Sequence, residues 1–312
     1  MNKNETAPYF NYISYLSAKK SIDDRSLNTY VLEKLKTKLR RLQSNKTISI
    51  LEMGAGTGTM IVRLLEMNLL KSVHYNAIDI HEENKKIAIS SLVKFARVNK
   101  YEILSASDQS LTLKKDNNQV QLNFVSMDVV HYLNSHINED TYDLVLAHAF
   151  MDLIDVPYVM QLLKPLTQRE CLYYFSVNYD GLTTFLPTIT QPPDDIILTL
   201  YHDSMNRRST EGEAGVGYWS GINLLRYMIQ SGYHLIASGS SDWIVAPRKN
   251  GYTNDESYFL EFILHTIHNA LISSNQIEKH DLDMWIDKRN HQIKKRELIY
   301  LAHQLDCLFD QH

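Results

Sequence analysis

Ile48-Ser-Ile-Leu51-Glu52-Met-Gly54-Ala-Gly56-Thr-Gly58-Thr-Met60 reads as a short buried strand, a glycine-rich turn and the start of a helix. Three glycines at alternate positions keep side chains off the inner face of the turn. A ligand can then approach the backbone N–H groups and the positive end of the helix that follows. Glu52, just before the glycines, would repel a phosphate and suits a cationic ligand group. The dinucleotide fingerprint Gly-x-Gly-x-x-Gly fails here, because Thr59 stands where its third glycine belongs.

Working outward, Val73-His-Tyr-Asn-Ala-Ile78-Asp79-Ile80 is an apolar strand ending in an acid. A doubly wound sheet places a ribose-binding carboxylate there, about twenty residues past the glycines. The alternative for Asp79 is a helix cap or a solvated loop acid. Strand and helix then alternate. Strands are expected at Gln121–Ser126, Tyr142–Ala147 and Cys171–Val177, with helices at Glu82–Val98 and Pro157–Leu163 and a small hairpin within Tyr101–Leu113. That alternation implies a parallel sheet covered by helices on both faces.

Glu52 to Gly58, Asp79, Phe124-Val-Ser-Met-Asp128-Val129, Tyr142-Asp-Leu-Val-Leu-Ala-His148 and Leu162-Leu-Lys-Pro165 together resemble the motifs of class I S-adenosylmethionine (SAM)-dependent methyltransferases. The resemblance covers residues 47–247. More loosely, Lys20–Asn28, Tyr201-His202, Ser240–Trp243 and Leu301–Asp306 resemble bacterial members of unassigned substrate. It implies an α/β fold: a seven-stranded, mostly parallel, doubly wound sheet with an antiparallel last strand, plus N- and C-terminal helical additions. The domains expected are an N-terminal helical cap over 1–46, a SAM-binding core over 47–247 with an insert at 178–219 over the active site, and a C-terminal helical extension over 248–312. Tyr233–Ala237 and Trp243–Ala246 are expected to form the antiparallel last pair, and Glu297–Phe309 a helix.

The resemblance also assigns roles. Glu52, Gly54, Ala55, Gly56 and Gly58 would receive the methionine part of SAM, and Asp79 both ribose hydroxyls. Asp128 would accept from the adenine amino group, with Val129, Met127 and Ile80 as apolar walls and Ala147 beside them. Arg25 could reach the SAM carboxylate, or form an ion pair near Asp23 and Asp24. His148, ending the fourth strand, and His202, in the insert, are candidate bases; the alternative for each is a solvated or core imidazole. Asp152 could orient His148 or hold a substrate amine, whereas Asp155 is better placed to cap the helix at Pro157. Phe150, Tyr201, Arg207 and Arg208 are candidate substrate contacts. Arg207 and Arg208 could instead complement a helix dipole.

Composition bounds the partners. The 312 residues carry a net charge of −4 without a long basic run, which disfavours nucleic acid. Two cysteines make no disulfide framework, and neither a signal peptide nor a span of eighteen apolar residues is present, so a cytoplasmic protein is expected. No metal motif occurs, and the pair His265/His268 reads as structural. The expected function is methyl transfer from SAM to an oxygen or nitrogen of a small molecule, with S-adenosylhomocysteine (SAH) as product and a homodimer as one possible assembly. A catalytically silent SAM-binding or scaffold protein is the first alternative, and a nicotinamide-dependent dehydrogenase the second.

Overall fold

The computed structural model describes residues 10–44, 46–136, 141–210, 219–272 and 276–311, with side chains at 206–210 left aside. The chain divides into two compact units, one of residues 27–180, 214–241 and 304–312, the other of residues 1–26, 181–213 and 242–303.

The first unit is built on a sheet. β1 (Ile48–Met53), β2 (Ser72–Asp79), β3 (Glu102–Ala106), β4 (Ser110–Lys115), β5 (Asn118–Ser126), β6 (Tyr142–His148) and β7 (Thr167–Val177) come from the alternating region, and β9 (His234–Ser240) and β12 (Leu305–Asp310) from later in the chain. The nine strands run in the order β3-β4-β5-β2-β1-β6-β7-β12-β9. β5, β2, β1, β6 and β7 are parallel, and β12 lies antiparallel to both its neighbours. This is the expected doubly wound sheet, extended at one edge by the β3–β4 hairpin because Leu111 and Leu113 are buried and β4 pairs with β5.

Both faces are apolar, as a parallel sheet under helices requires. One face packs against α2 (Thr29–Leu42), α3 (Thr59–Glu66) and α4 (Glu82–Val98), the other against α5 (Val129–Ser135), α6 (Val156–Leu163) and α8 (Ser220–Gln230). The caps follow side-chain chemistry. Asp155 accepts from Tyr158 N at 3.0 Å to start α6, as its position before Pro157 predicts. α2 is capped by Asn28, whose Oδ1 accepts from Val31 N at 3.1 Å. The break between the first two helices accordingly falls at residues 27–28, after α1 (Tyr12–Ser26).

The second unit contains α1, α7 (Asp194–Thr210), α9 (Glu256–Leu271), α10 (Lys279–Lys294) and a small antiparallel sheet, β10-β11-β8. Its strands are β8 (Thr183–Leu186), β10 (Trp243–Val245) and β11 (Ile299–Ala302). Phe185, Trp243, Phe259, Trp285 and Tyr300 fill its core. Arg289, fully buried, is paired with Asp194 and donates to Pro187 O at 2.8 Å; Asp194 in turn accepts from Ile189 N and the Trp285 indole, fastening the proline-rich loop to α10.

Two expectations are corrected. Glu297–Phe309 is not helical but forms β11 and β12, separated by His303-Gln304. A run such as Leu305-Asp-Cys-Leu-Phe309 is too short for periodicity to separate strand from helix, and pairing on both edges decides it. The segments at 233–237 and 243–246 do not pair with each other. β9 has its partner in β12, and β10 pairs with β11 in the other sheet. The antiparallel strand at the β7 side of the main sheet thus comes from the far C-terminal segment.

Candidate functional site

In an open parallel sheet, ligands bind beyond the carboxyl ends of the strands. At that edge of the first unit, β1 runs into the glycine loop, β2 ends in Asp79, β5 leads to Asp128 and β6 ends in His148. The loop is anchored by Ala55 N donating to Ile78 O at 2.9 Å and Gly58 N donating to Ala55 O at 3.0 Å.

The three glycines have different reasons to lack a side chain, although all have positive φ. A Cβ on Gly54 would lie 2.4 Å from Phe150 Cδ2, so the Phe150 ring sits directly on this residue. A Cβ on Gly58 would meet Ala88 at 3.1 Å, so this glycine lets α3 and α4 approach closely. A Cβ on Gly56 would meet none of the described residues within 4 Å. Gly56 is therefore the open position of the turn, where a ligand could lie on the backbone.

Asp79 is tied into the same turn. Its Oδ2 accepts from Gly56 N at 2.8 Å, and its Oδ1 accepts from His81 N at 2.9 Å and Asn84 Nδ2 at 3.0 Å. It acts as a loop acid and also faces the open glycine. Three of about four carboxylate acceptor positions are filled, which leaves one on Oδ2. Next to it Ile80 is 63% exposed, an apolar side chain at the sheet edge without cover. Met127 is half-buried, and its N donates to Asp79 O at 3.0 Å. Asp128 is exposed and spends Oδ1 on capping α5 through His131 N at 3.0 Å. The side chains of Val129, Ala147 and Ala55 are buried in the core.

Beneath the loop, Glu52 is 2% exposed and accepts from the Tyr75 hydroxyl at 2.7 Å. Burial pushes its carboxyl up to about 7; the Tyr75 hydrogen bond and the Arg63 charge oppose this, and the nearby Asp79 adds to it. Arg63 reaches this position from α3 and is itself buried. Tyr75 and Arg63 are part of the site that the sequence reading missed. A tyrosine inside a fully buried strand was the available signal, since its hydroxyl needs a partner.

His148 ends β6 half-buried, with its ring edge-on to Tyr174 at 4.8 Å and 76°. The following residue, Ala149, has φ +56°, a left-handed conformation unusual for alanine, and its N donates to Ser176 O at 2.9 Å. That kink turns the chain so that Phe150 lies on Gly54. Asp152 follows, half-buried, in a single 3₁₀ turn at Met151–Leu153.

The remaining candidates belong to the second unit. Tyr201 and His202 lie on α7; Tyr201 is in the apolar core, and His202 is half-buried, with burial lowering its imidazole pKa against the Asp203 charge. Arg207 and Arg208 lie in the last turns of the same helix, and their side chains fall outside the described residues. Arg25 is paired with Glu256 at 2.7 Å and donates to Ile244 O at 3.1 Å. Its ion-pair partner is therefore neither Asp23 nor Asp24, and these contacts occupy the guanidinium that was expected to reach a ligand carboxylate. His265 and His268 are structural: His268 Nε2 pairs with Asp283 Oδ1 at 2.9 Å, and His265 stacks on Phe10. Among the described residues, no group of three or more His, Cys, Asp or Glu is placed to hold a metal ion, and no helix is long and apolar enough to cross a membrane.

No protein-family profile matches the chain, and no curated protein does. Solved structures do resemble it. A protein from Bacillus halodurans C-125, provisionally named a methyltransferase, is 11% identical, with 88% of this chain and 98% of that one covered at a TM-score of 0.47. YjhP from E. coli is 10% identical over 99% of this chain and 96% of its own, at 0.45. Geranyl diphosphate C-methyltransferase from Streptomyces coelicolor A3(2), solved with Mg2+, geranyl diphosphate and SAH, is 8% identical over 89% and 80%, at 0.39. At these scores and identities the likeness adds nothing to what the topology and the site geometry establish.

Proposed function

We propose that the chain is a SAM-dependent methyltransferase that methylates an oxygen or nitrogen of a small molecule. The observation that carries this is the combination at the turn: an open glycine, Gly56, whose N–H is fixed by Asp79, above a buried acid, Glu52. A carboxylate under a glycine loop disfavours a phosphate and favours an ammonium or sulfonium. The exposed Ile80 beside Asp79 supplies an apolar surface of the kind an adenine ring covers.

SAM supplies a methyl group already activated by its sulfonium. The chain has to hold it, align the acceptor and remove water. In this reading Gly56 seats the methionine part, and Asp79 gives its remaining acceptor position to a ribose hydroxyl; taking a second hydroxyl would require Gly56 N or the Asn84 amide to yield. Asp128 accepts from the adenine amino group with the oxygen that does not cap α5. His148 takes the acceptor's proton, with Asp152, four residues further along the chain, as its orienting acid. Phe150, whose ring lies on Gly54, is the proposed substrate contact of this unit; Arg25 is left out of the cofactor set.

Incubation with SAM and a panel of small hydroxyl and amine acceptors, read as SAH release, tests the activity. His148→Ala should lose at least about a hundredfold in turnover, the scale of general-base removal, while still binding SAH. Turnover unaffected by this substitution would remove His148 from the mechanism. Fluorescence titration with NADH tests the dehydrogenase alternative, and no quenching or enhancement is expected.

A further inference from the structure

Glu52, on β1 two residues before Gly54, is an acid buried by the fold's own packing beside the strand end that leads into the proposed cofactor seat. The groups facing it come from three elements. From β2 come Tyr75, donating at 2.7 Å, and Asp79 at the strand end; from α3 comes Arg63. On β6 the residue level with Glu52 is the apolar Leu146, with His148 two residues further along the same face. Tyr174, level with Leu146 on β7, is the next polar group, and it senses the Arg63 charge. The cluster thus holds two acids and one arginine, with two tyrosines at its margin.

This arrangement is poised between two charge states. With Glu52 ionised, Glu52 and Asp79 give two negative charges against Arg63, and a cation on the loop is attracted. With Glu52 neutral, Arg63 and Asp79 cancel and the attraction is lost. Burial favours the neutral form, whereas the Tyr75 hydroxyl, which donates, favours the ionised one.

We propose that cofactor binding at this loop is proton-coupled: seating a ligand ammonium against Gly54–Gly58 expels a proton from Glu52, and Tyr75 is the positioning residue that sets the pH at which this happens. The proposal rests on the SAM reading above. The proton goes to solvent, and no bond other than the Glu52 O–H is broken.

Burial pushes the Glu52 carboxyl up to about 7, which sets the direction and the window. Below pH 7 the ligand must displace a proton and binds more weakly; above it Glu52 is already ionised. By linkage, affinity should fall about tenfold from pH 8 to pH 6. The test is calorimetric titration of the full chain with SAH at pH 6, 7 and 8, each in two buffers of different ionisation enthalpy. The expected release is close to one proton at pH 6, about half at pH 7 and close to none at pH 8. Tyr75→Phe should move the midpoint of release to higher pH, and Glu52→Gln should abolish release and flatten the affinity profile. Binding with equal affinity at pH 6 and 8 and no proton exchange would overturn the coupling while leaving the SAM reading intact. An unchanged midpoint in Tyr75→Phe would overturn the role of Tyr75. Absence of SAH binding at every pH would overturn the SAM reading and the coupling together.

Discussion

Glu52 and Asp306 are two buried carboxylates on the same face of one sheet, and they are surrounded differently. Glu52 lies on the second-last residue of β1, assembled with a loop that follows it directly in sequence. Asp306 lies on β12, and its partners come from the whole length of the unit: Asn28 N at 2.8 Å, Ser176 Oγ at 2.6 Å and Tyr174 OH at 3.3 Å. Burial raises the pKa of both. Asp306 has several donors converging on it and is fully buried. It holds the start of α2, whose Asn28 also donates to Ser240 O, and β7 and β12 together. Glu52 has a tyrosine hydroxyl and a neighbouring cation, and the open face of Gly56 above it. A buried acid surrounded by converging donors is a structural clamp. One placed beside an open glycine turn is a candidate for ligand binding.

That contrast can be broken by substitution. Asp306→Ala should cost about 3 kcal/mol, because it strands several buried donors at once. Chemical denaturation should show the loss, and SAH affinity at a temperature where the variant is folded should not change. Glu52→Gln should do the opposite. Because the folded-state pKa of Glu52 lies above its ordinary value of 4.5, the fold binds the extra proton between pH 4.5 and about 7, and stability falls as pH rises through that window. Removing the acid should therefore stabilise the protein by up to about 3 kcal/mol at pH 8, and by little at pH 4.5. A Tm that is pH-independent in the difference between the two proteins would contradict the raised value.

The glycines sharpen the comparison at smaller scale. Gly54→Ala should cost about 2 kcal/mol, from a positive φ together with the clash against Phe150. Adding Phe150→Ala should relieve the clash and recover part of that loss, which a double-mutant cycle measures. Gly56→Ala meets no neighbour and should cost about 1 kcal/mol from φ alone, yet weaken SAH binding more than Gly54→Ala does relative to its stability loss. Smallest is Asn28→Ala, at about 1 kcal/mol for the lost cap on α2, read by thermal unfolding.

The parts of the fold legible in sequence were those written locally. The β1 run and its glycines, the acid at the end of β2, the helix Glu82–Val98 and the Asp155-x-Pro157 cap each carry their signal within a few residues. The parts that were not legible depend on pairing between distant segments. Leu305–Asp310 has no glycine or proline marking its start after β11, and its two neighbouring strands make it an antiparallel strand of the sheet. The site divides in the same way. Glu52, Gly56 and Asp79 lie on strand ends and a loop marked locally in the sequence, whereas Tyr75 and Arg63 come near Glu52 through strand register and helix packing. Arg25 looked available in sequence because Glu256, the acid that holds it, lies far along the chain.

The most direct test of the central claim is calorimetric titration of the protein and of Asp79→Ala with SAM and SAH at pH 7.5, alongside the thermal unfolding of both. Micromolar binding of both ligands that is lost in Asp79→Ala, with the unfolding transition retained, is the predicted result. Undiminished affinity in the variant, or no binding by the unsubstituted protein, would contradict it.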